Sequence, residues 1–186
     1  MTRPAFTRRW FVGAILLALA GCAPAASVPA PAAEPATTVF VVRHAERAAE
    51  PAADPGLTPA GRARAEALPQ AVRDAGRVAA IYSTQLRRTQ ATAAPLATAM
   101  GITVTTRPAS AANSATYAQD LAREILSRHA GQTVVVVGHS NTVPAIVAAL
   151  SGGPAPALTE ADYGDLFRVV IPRTGAPRVE RGRFGP

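Results

Sequence analysis

Lysine is absent from this 186-residue chain: all 19 basic residues are arginine, set against 12 acids for a formal charge of +7. A cation set made only of planar guanidinium forks suits phosphate and carboxylate. The same Arg-, Ala- and Pro-rich composition also follows from a GC-rich coding sequence, so basicity alone does not specify nucleic acid. A single cysteine excludes an intrachain disulfide framework, and three widely separated histidines offer with it no structural zinc spacing. No cofactor or metal is implied. Charged residues reach only 17%, too few for a disordered chain, while 48% hydrophobic residues suffice for a core. The length allows one ordinary domain with extensions and excludes two large ones.

The apolar run Trp10–Ala20 is too short to span a bilayer. It follows Arg3, Arg8 and Arg9 and ends in Leu19-Ala20-Gly21-Cys22, the layout of a secretory signal peptide over residues 1–21. Its end resembles the bacterial lipobox, which implies that Cys22 becomes the lipidated first residue of the mature chain. A membrane-anchored protein of the cell envelope, facing the periplasm or the exterior, is therefore expected. Thr7-Arg8-Arg9-Trp10-Phe11-Val12 fits a twin-arginine export signal and an ordinary basic leader equally. Residues 22–37 are Pro- and Ala-rich with Glu34 as their one charge, and read as an extended spacer. Without residues 1–21, 16 arginines face 12 acids, and at +4 a nucleic-acid partner is not expected.

Residues 38–172 read as the domain. Thr38–Val42 is a continuous β-branched run, as in a strand buried on both faces of a parallel sheet. Thr58 as N-cap and Pro59 at the first helical position open a helix that Gly76 stops. Val78–Tyr82 is a second strand, Leu86–Met100 a helix ended by Gly101, and Ile102–Thr105 a third strand. After a loop over 107–113, Ser114 is placed to cap a helix running to Arg128, and Thr133–Val137 is the most apolar strand. Asn141 is placed to cap a helix over 142–150 with Pro144 in its first turn. Leu166–Ile171 alternates as a last strand, and residues 173–186 read as an Arg/Pro/Gly-rich tail. Strands alternating with helices predict an α/β fold, a three-layer sandwich around a mainly parallel sheet. Ligands bind such sheets at the carboxyl ends of the strands.

Two histidines leave strands at those ends, in Arg43-His44-Ala45-Glu46 and in Gly138-His139-Ser140. If the two strands are neighbours, both histidines enter one crevice beside Arg43, faced by N–H groups at the start of the 142–150 helix, which makes an anion pocket. His129 belongs near a helix C-terminus, where a cation complements the dipole, and is read as structural.

The Arg-His-Ala-Glu segment, residues 82–97 (YSTQLRRTQATAAPLA) and the VVVVGHSNTVPAIVAAL stretch together resemble the histidine phosphatase superfamily, also called phosphoglycerate mutase-like. The likeness runs roughly from Thr38 to Phe167, with its motifs in the family's order. It implies that His44 is the nucleophile, forming a phosphohistidine, and that Arg43, Arg88 and His139 clamp the phosphate, His139 protonated by the phosphate's presence. The register Thr84-x-Leu86-x-Arg88-Thr89-x-x-Thr92 assigns Arg88 rather than Arg87 to the phosphate. One branch of the family, the acid phosphatases, has a further phosphate-binding Arg at the offset of Arg47; an exposed loop Arg reads equally well. The chemistry needs no metal or cofactor, since fixed cations stabilise the charge on the transferring phosphoryl oxygens.

The family's usual carboxylic acid is missing after the second histidine, where Ser140 stands, and residues 106–118 hold no Asp or Glu. Glu46, Asp120, Glu160 and Asp162 remain as possible proton donors, Glu46 being nearest the nucleophile in sequence. Without an acid, good leaving groups such as phosphohistidine or acyl phosphate react better than alkyl phosphates. The expected activity is metal-independent hydrolysis of phosphorylated small molecules or phosphoproteins, the chain being too short for the insertions of a mutase. The alternative is an anion-binding module of the same fold that has lost turnover. A third reading, contact of Arg173, Arg178, Arg181 and Arg183 with anionic lipid or nucleic acid, rests on one charge run.

Overall fold

In a computed structural model, the structure describes Thr2 and residues 35–186. The expected leader over 1–21, Cys22 and nearly all of the 22–37 spacer lie outside the described residues. No described helix is long and apolar enough to cross a membrane.

Among the described residues, six strands and four α-helices follow one another as β1 (Thr37–Arg43), α1 (Pro59–Ala71), β2 (Val78–Ser83), α2 (Arg87–Met100), β3 (Val104–Thr106), α3 (Tyr117–Arg128), β4 (Thr133–Gly138), α4 (Thr142–Ser151), β5 (Asp165–Ile171) and β6 (Arg178–Arg183). They build one mixed sheet of order β3-β2-β4-β1-β5-β6. The first four run parallel, and β5 is antiparallel to both β1 and β6. The period of two along buried strands assigns their side chains to two cores. Val39, Val41, Val134 and Val136 pack in the layer that holds α3 and α4 residues such as Leu121, Ile125, Ile146 and Leu150. Phe40, Val42, Val135 and Val137 pack with Leu68 and Val72 of the α1 region and Leu96 of α2. This is the α/β/α sandwich expected from the alternation of elements.

Local chemistry explains the start of α1 and the end of α2. Thr58 caps α1 by accepting the Gly61 N–H at 3.0 Å, with Pro59 in the first turn. Gly61 is required there for space: a Cβ would stand 2.3 Å from the Glu46 carbonyl oxygen, so α1 packs directly against backbone just beyond the β1 end. Gly101 ends α2 in the left-handed conformation at φ +66°.

Three expectations are corrected. Residues 178–183 are not a tail but the edge strand β6, and Phe184 behind them is 4% exposed in the core shared with α1 and α2. Ser114 does not cap α3: Ser110 and Asn113 close a capping box around a 3-10 turn over Ala111–Asn113, and α3 starts later, at Tyr117. Asn141 makes no capping bond to α4; the Thr142 hydroxyl instead accepts the His139 N–H at 2.9 Å.

Candidate active site

Strand register brings the two histidines together. In the parallel β1–β4 ladder Arg43 stands opposite Gly138, and the His44 N–H donates to the Gly138 carbonyl at 2.9 Å. On the other side of β4, Ser83 stands opposite Val137, so Thr84 leaves β2 at the same level. The imidazoles of His44 and His139 lie edge to face with centroids 5.3 Å apart. Gly138 permits the sharp exit: a Cβ there would meet the Thr142 hydroxyl at 2.8 Å. Arg43, His44, Arg47, Arg88, His139, Ser140, Asn141 and Glu160 line one crevice at the carboxyl ends of the strands.

The tautomer of His44 is set by its neighbour. His44 Nδ1 lies 2.8 Å from the Ala45 carbonyl oxygen, which can only accept, so the proton of the neutral ring sits on Nδ1 and the Nε2 lone pair is free. Burial pushes His44 down to about 4, with Arg43, Arg88 and Arg47 adding in the same direction against the Ala45 hydrogen bond. Burial, His44, Arg88 and Arg43 push His139 down to about 3. Within the protein's own field both rings are therefore neutral at pH 7, and only an approaching dianion would favour the protonated His139 expected from the sequence. His139 Nε2 is held 3.0 Å from the Thr84 hydroxyl, itself 2.9 Å from the Thr89 hydroxyl.

Arg43 is 1% exposed, and the loop before β5 holds it on three sides. It donates to the Thr159 carbonyl at 3.0 Å and to Glu160 at 2.9 Å, and its guanidinium stacks 4.1 Å from the Tyr163 ring centroid. The buried Nε atoms of both Arg43 and Arg88 have no hydrogen-bond partner among the described residues. Buried unpaired donors are costly, and two of them beside a free imidazole nitrogen suit an anion. The Thr142 and Val143 N–H groups turn back to the His139 carbonyl, so the start of α4 offers the Ser140 and Asn141 N–H groups instead of its own. Arg87 is exposed, and its backbone N–H donates to Asp54. Arg47 is exposed at the crevice rim.

Glu46 does not enter the crevice. Arg64 grips it through Nε at 3.0 Å and Nη2 at 2.8 Å, while Arg64 Nη1 donates to the Phe184 carbonyl at 2.6 Å. Partial burial works to raise the Glu46 carboxyl, but the Arg64 hydrogen bonds and charge outweigh it and hold it below the usual range. The crevice acid is Glu160, bonded to Arg43 and to the Ser140 hydroxyl, which hold its carboxyl low. Sequence spacing could not rank Glu160 above Asp120 or Asp162, and nothing in it signals Tyr163. His129 closes α3, with Nε2 3.0 Å from the Tyr82 hydroxyl, in the structural place expected. No three His, Cys, Asp or Glu side chains cluster as metal ligands among the described residues.

The sandwich sets Arg43 and His44 at the carboxyl end of β1, His139 just past that of the neighbouring parallel β4, and Arg88 in the first turn of α2, and its fold is phosphoglycerate mutase-like. A sequence model of the histidine phosphatase superfamily (branch 1) matches residues 39–111, a span that includes His44 and Arg88 and stops before His139. A solved structure titled mycobacterial hydrolase 1 has TM-score 0.64 and 17% identity over 81% of this chain and 100% of its own. Mycobacterial glucosyl-3-phosphoglycerate phosphatase has TM-score 0.61 and 18% identity over 81% of this chain and 99% of its own. Phosphoserine phosphatase from Entamoeba histolytica, solved with 3-phosphoglyceric acid, has TM-score 0.58 and 18% identity over 81% of this chain and 97% of its own. At these identities the likeness establishes the fold. No curated protein matches the chain in sequence.

Proposed function

We propose that the chain is a histidine phosphatase that hydrolyses phosphorylated compounds through a phosphohistidine on His44. The observation that carries this reading is the Nδ1 bond to the Ala45 carbonyl, which leaves Nε2 of a neutral, buried imidazole as a lone pair facing cations. Nε2 attacks phosphorus while the bond to the leaving oxygen breaks. The ring becomes cationic, which strengthens its Nδ1 bond to the carbonyl. Arg43, Arg88 and His139 neutralise the equatorial oxygens, and Arg47 approaches from the rim. Water then attacks phosphorus, the P–N bond breaks, and inorganic phosphate leaves. The phosphatase titles of the structural neighbours support this direction over transfer between substrates, and their phosphorylated carboxylic acids support small molecules as substrates.

The test is burst-phase release from p-nitrophenyl phosphate by the full chain in detergent, with acid-quenched phosphate label counted on the protein. His44→Ala is expected to keep its circular dichroism spectrum and lose both burst and label. A folded protein that binds phosphate but forms no label in the wild type would instead make it the anion-binding module. We also propose that Cys22 carries a lipid anchor that holds the domain outside the cytoplasm. Cys22→Ser should abolish metabolic labelling with radioactive palmitate, and retained labelling would sink the anchor.

A further inference from the structure

Beside the crevice lies a second cleft of about 310 Å³ that shares Arg88, His139 and Asn141 with it. A phosphate on Arg88 and His139 therefore stands at the mouth of this cleft, which is open to its ester substituent. Its walls are Leu86 before α2, the 3-10 turn and its flanks through Ser110, Ala111, Asn113 and Ser114, Tyr117 of α3, and Ala145 of α4. Two properties of these walls bear on the leaving group.

The first is charge. Apart from Arg88, already engaged by the phosphate, no Asp, Glu or Arg lines the cleft among the described residues. A carboxylate or an ammonium placed there would lose hydration without a counter-charge, at a cost of several kcal/mol by general estimates. Apolar methyls, a phenol ring and a few hydroxyls and amides fit an uncharged, partly apolar group instead.

The second is the want of a carboxylic acid to protonate the leaving oxygen, the hydroxyls and amide of the walls being engaged with backbone or with one another. The Tyr117 hydroxyl donates to the Arg107 carbonyl, Ser114 to the Ala111 carbonyl, and Ser110 to Asn113 Oδ1. Asn113 Nδ2 donates to the Pro108 carbonyl, and His139 Nε2 is tied to Thr84. Glu160 lines the cation crevice and not the cleft. An alkoxide leaves poorly without protonation, whereas a phenolate does so readily.

On the phosphatase reading, we infer that this cleft receives the leaving group and selects aryl phosphate monoesters, in which the group is uncharged and weakly basic. As Nε2 of His44 bonds to phosphorus, the P–O(aryl) bond breaks and its electron pair stays on the phenolate oxygen, which then takes a proton from water.

The experiment measures kcat/KM of the full chain for a series of substituted phenyl phosphates and for glycerol phosphate, phosphoserine and 3-phosphoglycerate. Expected is a fall of roughly tenfold or more from p-nitrophenyl to phenyl phosphate, and values for the three alkyl esters at least about 100-fold lower again. A flat dependence on the phenol, or alkyl esters matching phenyl phosphate, would overturn the inference. Ala111→Arg puts a cation on the exposed wall of the cleft, and Ala145→Arg does so from α4 should the first variant fail to fold. Either should raise the 3-phosphoglycerate to phenyl phosphate ratio by about tenfold; an unchanged ratio in folded variants would mean that the leaving group lies elsewhere. His44-dependent turnover of p-nitrophenyl phosphate with either negative result leaves the phosphatase standing and removes only the cleft assignment. Absence of His44-dependent turnover of every ester removes both.

Discussion

At the scale of single residues, the division of labour between two glutamates is set by their arginines. Glu46 sits two residues from His44 in sequence, yet Arg64, itself 8% exposed, takes it in a forked pair and ties it to the carbonyl before the chain end. Its carboxyl is held ionised and away from the crevice, so its contribution is structural. Glu46→Gln should therefore change kcat/KM for p-nitrophenyl phosphate by less than about threefold, where removal of a general acid costs about 10²–10⁴. It should lower unfolding free energy by about 1–3 kcal/mol, because Arg64 loses an ionised acceptor, as read from urea denaturation. A loss of activity of 100-fold with unchanged stability would restore Glu46 as proton donor. His44, Arg43 and His139 were legible as a pair of motifs because each leaves a strand at its carboxyl end. Glu160 was not, because its nearness to Arg43 spans 117 positions of chain and depends on a loop with no periodicity.

At the scale of elements, the strands and helices that place the site carry strong local signals: β-branched runs for β1 and β4, and proline and glycine at the ends of α1 and α2. Sequence reading located these and their order because burial on both faces leaves a continuous apolar run. It missed β6, in which Arg178, Glu180, Arg181 and Arg183 surround Val179, since an exposed edge strand needs no apolar face and is protected by charge. The ion pairs of Arg181 and Arg183 with the buried Asp165, and of Arg168 with Glu180, link β6 to β5 in a way that composition alone does not reveal. Arg181 and Arg183, two of the four arginines read as a solvated or lipid-seeking tail, are thereby occupied within the sheet. The start of α3 was misplaced for a related reason: Ser114 lies at a helix-capping position by type, but the 3-10 turn closed by Ser110 and Asn113 claims that stretch. That turn is also a wall of the cleft, so the least regular segment between β3 and α3 is the one that shapes the leaving-group side of the site.

At the scale of the whole domain, two buried neutral histidines couple folding to pH. Well above pH 6.5, by about pH 7.5, both rings are neutral in the folded and unfolded chain, and neither contributes a pH dependence. Below it the unfolded chain binds protons at the ordinary histidine value, while the folded chain refuses them until about 4 at His44 and about 3 at His139. The unfolded state thus holds more protons across that window, and stability must fall as pH falls, by up to about 1.4 kcal/mol per unit for each ring. At pH 5.3 the loss relative to pH 7.5 should be roughly 3 kcal/mol, before the lowered carboxyls of Glu46 and Glu160 begin to contribute below their own ordinary values. Urea unfolding followed by circular dichroism at the two pH values measures it. The His44→Gln, His139→Gln double variant should lose little over the same interval, and an equal loss in both proteins would show that the histidines are not the source. Inorganic phosphate should act against the acid effect, because a dianion between Arg43, Arg88 and the two rings raises the proton affinity that burial suppresses. Phosphate should therefore protect the wild type more at pH 5.3 than its binding at pH 7.5 alone would give, and should do nothing comparable for the double variant.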